Sequence, residues 1–241
     1  MFINLIYLLK YKFSISINYY FLQLYNSIKD LIFYMTDTKT YWNKFYRDSL
    51  VVKRSSNFSL FVMKKIKKNS DLLLDIGCGN GRDAFFFIRN KVKTFGIDQS
   101  STIINKNNKF KKVFFNINFC KKKITLKDKF SVFYARFFLH SITLIEEKKF
   151  FKNIKLNSSP VSKIFLEFRT DKDPLIKQGI KISKYERFTD HYRRFINVAA
   201  FKKRVKNEKF DILFLKTSNK FSIFKDDKPD ICRVILSWKN N

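Results

Sequence analysis

An α/β fold, with a mainly parallel sheet of seven strands and helices on both faces, is the architecture this sequence predicts. Three observations predict it. Short apolar runs alternate with helix-period segments from residue 70 to residue 168, an order that implies right-handed strand–helix–strand units and a parallel sheet. The first run ends in glycines after Ile76 and the second ends at Asp98, the punctuation expected at strand tips. The chain has 241 residues and no Gly/Ser-rich linker or internal repeat, which suits one domain with a substantial core.

The elements follow in order. Thr36 to Arg47 predicts a short helix opened by polar capping residues, with Tyr41, Trp42, Phe45 and Tyr46 on or near one face. Phe58 to Lys67 repeats apolar residues at helical spacing. Leu72 to Ile76 is a buried strand, Arg82 to Asn90 a Phe-rich helix, and Val92 to Ile97 a second strand. Ser100 or Ser101 caps the next helix, to about Asn108. Val113 to Ile117, Phe130 to Ala135 and Val161 to Phe168 are the next strands, with a helical pattern over Ile142 to Leu156 before the last of them. The tail predicts a helix around Arg194 to Lys206 and strands at Phe210 to Leu215 and Ile231 to Trp238, joined through a loop at Asp226 to Pro229.

Residues 1–34 differ from the rest: rich in Ile, Leu, Phe and Tyr and poor in charge. The uncharged stretch Phe13 to Ser27 contains Asn, Gln and Ser and is shorter and more polar than the roughly 18–20 apolar residues of a spanning helix. No signal-peptide pattern is present. The segment reads as an extension or helix preceding a domain of residues 35–241, with Met35-Thr-Asp-Thr resembling a natural start.

Lys and Arg number 50 against 20 Asp and Glu, a net charge of +30. Such a balance suits an acidic partner such as nucleic acid. The lysines are scattered, in short runs such as Lys121–Lys123, and Lys, Asn, Ile and Phe are what an A/T-rich genome over-encodes; a solvated basic surface is therefore preferred to a nucleic-acid face. The cysteines, Cys78, Cys120 and Cys232, form no CxxC pair, and there are two histidines, His140 and His191. This inventory gives no disulfide framework and no metal site, and points to a reduced cytoplasmic protein.

The chemistry concentrates after the first strand, in Asp75-Ile-Gly77-Cys78-Gly79-Asn-Gly81 followed by a helix that opens with Arg82. A tight strand-to-helix turn needs glycine where a side chain would block a ligand, and the first helical amides then face the crevice at the carboxyl ends of the strands. Seventeen residues after Gly81 the second strand ends at Asp98, where a carboxylate can accept from both hydroxyls of a ribose. The spacing is GxGxG rather than GxGxxG, which argues against a dinucleotide and for an adenosyl ligand without pyrophosphate.

Asp75 to Asp83, followed by Gly96-Ile97-Asp98-Gln99-Ser100, resembles the class I S-adenosylmethionine (SAM)-dependent methyltransferases, and Gly-Asn-Gly-Arg-Asp with Asp-Gln-Ser is similar to the small-molecule group that includes tellurite and thiopurine methyltransferases. The resemblance spans roughly residues 38–170. It implies a Rossmann-like seven-stranded sheet with an antiparallel C-terminal strand and SAM as cofactor. Asp75 and the loop of Gly77, Cys78, Gly79, Gly81 and Arg82 would hold the methionine end, Asp98 the ribose, and Gln99 the neighbourhood of the adenine. Asn118 and Phe119 fall where the family usually has an acidic residue for the adenine amino group; Asn118 retains hydrogen-bonding capacity without charge. Arg136, in Tyr134 to His140, falls where such enzymes line the methyl-transfer site.

Two polar clusters lie further along: Glu167-Phe-Arg169-Thr with Asp173, and Asp190-His191-Tyr-Arg193-Arg194-Phe195. Charged residues among aromatics at the carboxyl end of a parallel sheet are where substrates bind, and paired guanidinium donors suit an anionic acceptor. Trp42, Glu167, Arg169, Arg193 and Arg194 are therefore candidate substrate contacts, although an ion pair between Glu167 and Arg169, and solvation of Arg193 and Arg194 on a helix, are equally compatible with the pattern. If the acceptor is a hydroxyl, His140 and His191 are the candidate bases; a thiolate or soft chalcogen would need none. The alternatives are an RNA ribose methyltransferase, suggested by the charge, and a non-catalytic binding module of the same fold. The chain has neither an Asn/Asp-Pro-Pro-Tyr motif nor a Pro-Cys nucleophile, which speaks against the common base-modifying RNA enzymes.

Overall fold

The structure is a computed structural model that describes residues 38–48, 52, 54–121, 123–223 and 227–239. The expectation for residues 1–34 lies outside the described residues, as does Asp226 in the predicted C-terminal loop.

Helix α1 (Thr38–Asp48) and α2 (Asn57–Met63) precede the sheet. The sheet elements then alternate: β1 (Leu72–Ile76), α3 (Arg82–Arg89), β2 (Lys93–Asp98), α4 (Ser101–Asn108), β3 (Phe114–Asn116), β4 (Phe130–Arg136), α5 (Leu144–Asn157) and β5 (Ser158–Arg169). After β5 come three short strands, β6 (Ile180–Lys181), β7 (Glu186–Phe188) and β8 (Tyr192–Arg194), then α6 (Val198–Asn207), β9 (Asp211–Ser218) and β10 (Ile231–Lys239). The main sheet has the order β3-β2-β1-β4-β5-β10-β9. Its first five strands are parallel, and β10 runs antiparallel to both neighbours. This is the predicted Rossmann-like arrangement, reversed C-terminal strand included.

The period-two alternation of each strand assigns its two faces. Leu73, Val132, Phe165 and Ile235 pack on one side against Phe58 and Val62 of α2 and Phe87 of α3. Leu74, Phe133, Ile164 and Val234 pack on the other against Phe150 and Ile154 of α5 and Phe201 and Val205 of α6. Full burial of one such phenylalanine stabilises by about 1.5–3 kcal/mol, and the many that are fully buried here carry the core.

Helix caps agree with the sequence. Ser100 accepts from the Ile103 amide, and Thr143 and Glu146 form a reciprocal capping box at the start of α5. The tail differs in one place. The helix expected from Arg194 begins at Val198 behind the Asn197 cap, and Arg194 instead ends β8 in a small antiparallel sheet, β6-β7-β8. Strands of two and three residues are too short to show a period.

Candidate active site

The loop after β1 folds as the glycines require. Gly77, Gly79 and Gly81 all have left-handed φ, at 71°, 51° and 70°, a conformation that costs other residues about 1–2 kcal/mol. The Gly77 and Cys78 amides both donate to the Ile97 carbonyl, at 2.8 and 3.0 Å, tying the loop to the end of β2. Gly81 caps α3 without a side-chain hydrogen bond, which leaves the first helical amides directed at the crevice.

Asp75 sits on β1 in register with Gly96 of β2 and Tyr134 of β4. Its carboxylate is buried, and no described residue donates a hydrogen bond to it. Burial drives its pKa well above the ordinary carboxylate range, Asp83 and Asp98 reinforce the rise, and Arg82 and Arg136 oppose it. Asp98, at the tip of β2, accepts from the Gly79 amide at 3.0 Å and the Ser100 amide at 2.9 Å. Burial raises its pKa, while the Ser100, Gly79 and Gln99 amides pull the other way. A carboxylate has about four lone-pair sites, so capacity remains for further donors. Residues 75 and 98 thus flank one loop on adjacent strands, as the sequence implies.

The remaining expected cofactor contacts divide. Asn118 donates to Gln99 Oε1 at 3.2 Å, which brings these two residues together beside Asp98. Phe119 points elsewhere: its ring is in the core, 6.0 Å from that of Phe150. Cys78 is also buried, packed with Phe114, so its backbone rather than its thiol faces the loop. Arg82 forms no ion pair among the described residues and is close enough to Arg136 for each to feel the other's charge. Arg136 donates to Glu167 at 2.9 Å and lies 4.2 Å over the Phe137 ring.

The tip of β4 carries the residues expected on the acceptor side. Phe137 adopts φ 56°, unusual for a bulky side chain, and the turn brings the Phe138 ring against Gly77, where a Cβ would come within 2.5 Å of it. His140 is buried; its Nδ1 accepts from the Arg169 amide at 3.3 Å. Burial and then Arg193, Arg169, His191 and Arg136 lower its pKa well below the ordinary histidine value. His191, in the β7–β8 turn, is 4% exposed, with the rings of Tyr41 and Trp42 at 4.6 and 5.0 Å. Burial lowers its pKa, against the pull of the neighbouring Asp190.

The other expected substrate contacts are mostly engaged inside the protein. Glu167 is fully buried and accepts from Arg136, Ser222 and, at 2.7 Å, Arg233. Arg169 pairs with Asp173 at 2.9 Å and with Asp227, rather than with Glu167. Arg194 pairs with Glu147 and donates through Nε and Nη2 to the carbonyls of Ile142 and Leu139, so it braces the β4–α5 connection. Arg193 bonds Asp190 at 3.0 Å and remains partly exposed. Trp42 is beside His191, on the site.

The sequence reading named Trp42 and placed Asp190 in a polar cluster, but it missed that α1 covers the loop and meets Asp190. Tyr46 lies over the loop, its hydroxyl 2.5 Å from where a Cβ on Gly79 would stand. Burial raises its pKa well above normal, followed by the charges of Asp98, Cys78 and Asp75. Asn43 Oδ1 accepts from Ser100 Oγ at 2.7 Å, and Tyr41 donates to Asp190 at 2.7 Å. The aromatic face of Tyr41, Trp42, Phe45 and Tyr46 was the only signal available.

No family model matches the sequence, and no curated protein matches it. Solved structures do match. A SAM-dependent methyltransferase from Mesorhizobium loti is 13% identical with a TM-score of 0.59, over 74% of this chain and 96% of that one. One from Clostridium acetobutylicum is 15% identical with a TM-score of 0.60, over 90% and 100%. A glycopeptide N-methyltransferase in complex with SAM is 11% identical with a TM-score of 0.60, over 78% and 88%. At these identities the likeness establishes the fold: this chain has the Rossmann-like fold of SAM-dependent methyltransferases.

Proposed function

We propose that the chain is a SAM-dependent methyltransferase acting on a small acceptor. The observation that carries this reading is the pairing of Asp98 with the left-handed glycine loop at the tips of adjacent strands. The residues present fit the cofactor. Asp75, a buried carboxylate without a donor, suits an ammonium group; Asp98 keeps lone pairs for ribose hydroxyls; Gln99 and Asn118 together border the adenine side. The SAM sulfonium supplies the methyl group and its driving force. The chain's own task is to hold the acceptor in line at roughly 3–3.5 Å and to exclude water, and α1, over the loop, is placed to do the second. The Gly-Asn-Gly-Arg-Asp and Asp-Gln-Ser turns support a place near the tellurite and thiopurine enzymes.

Calorimetry with SAM tests the reading. Asp98→Ala is expected to weaken binding at least tenfold, about 1.4 kcal/mol; equal affinity in the variant and the wild type would remove the cofactor assignment, and binding without turnover on any acceptor would leave a non-catalytic module. The acceptor is read as small and anionic because Arg169 and Arg193 flank His140. Turnover of small acids in preference to amines is the expected result of a substrate screen. The +30 charge favours RNA as a second reading; a steep fall of RNA affinity with salt would support it. Cys78, Cys120 and Cys232 are free thiols, which suits a reducing cytoplasm, and no described helix is long and apolar enough to cross a membrane.

A further inference from the structure

The two histidines differ in what their nitrogens can do. His140 Nδ1 already accepts a hydrogen bond from the Arg169 amide. In a neutral imidazole the other nitrogen then carries the hydrogen, so His140 Nε2 can donate but cannot take a proton. His191 is the reverse. Its Nδ1 is 3.1 Å from Asp190 Oδ1, a carboxylate that favours a hydrogen on that nitrogen and leaves a lone pair on Nε2. Its Nε2 is buried with no hydrogen-bond partner among the described residues, a condition that costs about 1–3 kcal/mol. A fold has little reason to keep such a group unless a ligand completes it.

Helix α1 measures how far this imidazole is from the cofactor loop. Tyr46 lies over Gly79. Trp42, one turn earlier, stacks on Tyr46 at 5.8 Å and touches His191 at 5.0 Å. Those two ring separations put the imidazole within about 11 Å of the Tyr46 ring that covers the loop, the span of two turns of helix. Every element around it contributes a polar neighbour: Asp190 and Arg193 from the β7–β8 hairpin, Tyr41 from α1, His140 from the segment after β4, and Arg169 from β5.

We propose that His191 Nε2 is the base that accepts the proton of a hydroxyl-bearing acceptor, that Asp190 positions it, and that Tyr41 and Trp42 of α1 roof this site. The inference rests on the methyltransferase reading. In the step itself the acceptor O–H bond breaks and its proton passes to His191 Nε2; the oxygen pair forms the bond to the methyl carbon, and the C–S pair stays with sulfur.

Nitrogen NMR of the full chain labelled at histidine tests the base, with His140→Gln and His191→Gln giving the assignment. The expected result is a lone-pair Nε2 on His191 and a protonated Nε2 on His140, with Asp190→Asn erasing the His191 preference. A hydrogen on His191 Nε2 at neutral pH overturns the proposal. Diethyl pyrocarbonate, which reacts with an accessible imidazole lone pair, tests the roof: Trp42→Ala should speed modification of His191 about tenfold, and an unchanged rate refutes it. SAM calorimetry on the same proteins separates the two levels. Failure of the wild type to bind SAM sinks the methyltransferase reading, whereas normal binding by His191→Gln with the wrong tautomer in the wild type sinks only this inference.

Discussion

Asp83 and Asp75 are both buried carboxylates near the glycine loop, yet they do opposite work. Asp83 accepts from the Ser56 amide at 2.7 Å, the Ser56 hydroxyl at 2.8 Å and the Tyr134 hydroxyl at 2.7 Å, joining the α2 cap to α3 and β4. Asp83→Ala strands those donors, and urea denaturation should show a loss of about 3 kcal/mol. Asp75 has no such donors. Its carboxyl, with its pKa raised chiefly by burial, holds more protons folded than unfolded, so its contribution to stability falls as pH rises through the unfolded value of 3.8. The cost is absent below that range and present at pH 7. Asp75→Asn should therefore raise the thermal midpoint of the ligand-free protein at pH 7, with the gain vanishing near pH 3, while weakening SAM binding at least tenfold, about 1.4 kcal/mol. A variant that loses both stability and binding would contradict this assignment. The sequence showed Asp75, Asp98 and the glycines because each is tied to a local turn. It placed Asp83 in the loop motif and Asp190 in a polar cluster but did not reveal their partners Ser56, Tyr134 and Tyr41, which are distant in the chain.

The same division separates the elements. Strands of five or more residues around the site were legible because their apolar runs end in glycine or aspartate. The β6–β8 hairpins were not, since Ile180 and Ile182 are exposed and no strand there is longer than three residues. Arg194 was misread for that reason. It lies on a strand, not a helix, and meets Glu147, which also binds Arg204 of α6 at 2.7 Å. Removing one partner of a buried pair of this kind costs about 3–5 kcal/mol. Arg194→Ala should lower stability by that order in thermal or urea unfolding and leave SAM affinity within twofold by calorimetry; a selective loss of acceptor binding would return it to the substrate site. Helix α1 offers a second test. Gly79→Ala adds left-handed strain of about 1–2 kcal/mol and drives a methyl into the Tyr46 hydroxyl, so α1 should lift from the loop, detectable as faster amide exchange over residues 41–46.

Across the whole molecule the basic excess sets the response to salt. A net charge of +30 repels itself over the Debye length, about 30 Å at 0.01 M and 8 Å at 0.15 M. Raising salt across that range should increase the melting temperature. An unchanged or falling midpoint would mean that favourable ion pairs, such as those of Glu147 and Glu167, outweigh the general repulsion.

The place of β10 has a consequence for how the protein is made. The final described strand does not finish the sheet at its border; it enters between β5 and β9, and β9 reaches the sheet only through it. During synthesis, β5 keeps an open border and β9 an unmatched backbone until residues 231–239 emerge, while Glu167 waits for Arg233. Until then the nascent chain is prone to clumping, and a frameshift near residue 230 would yield a sticky product rather than a merely shortened one.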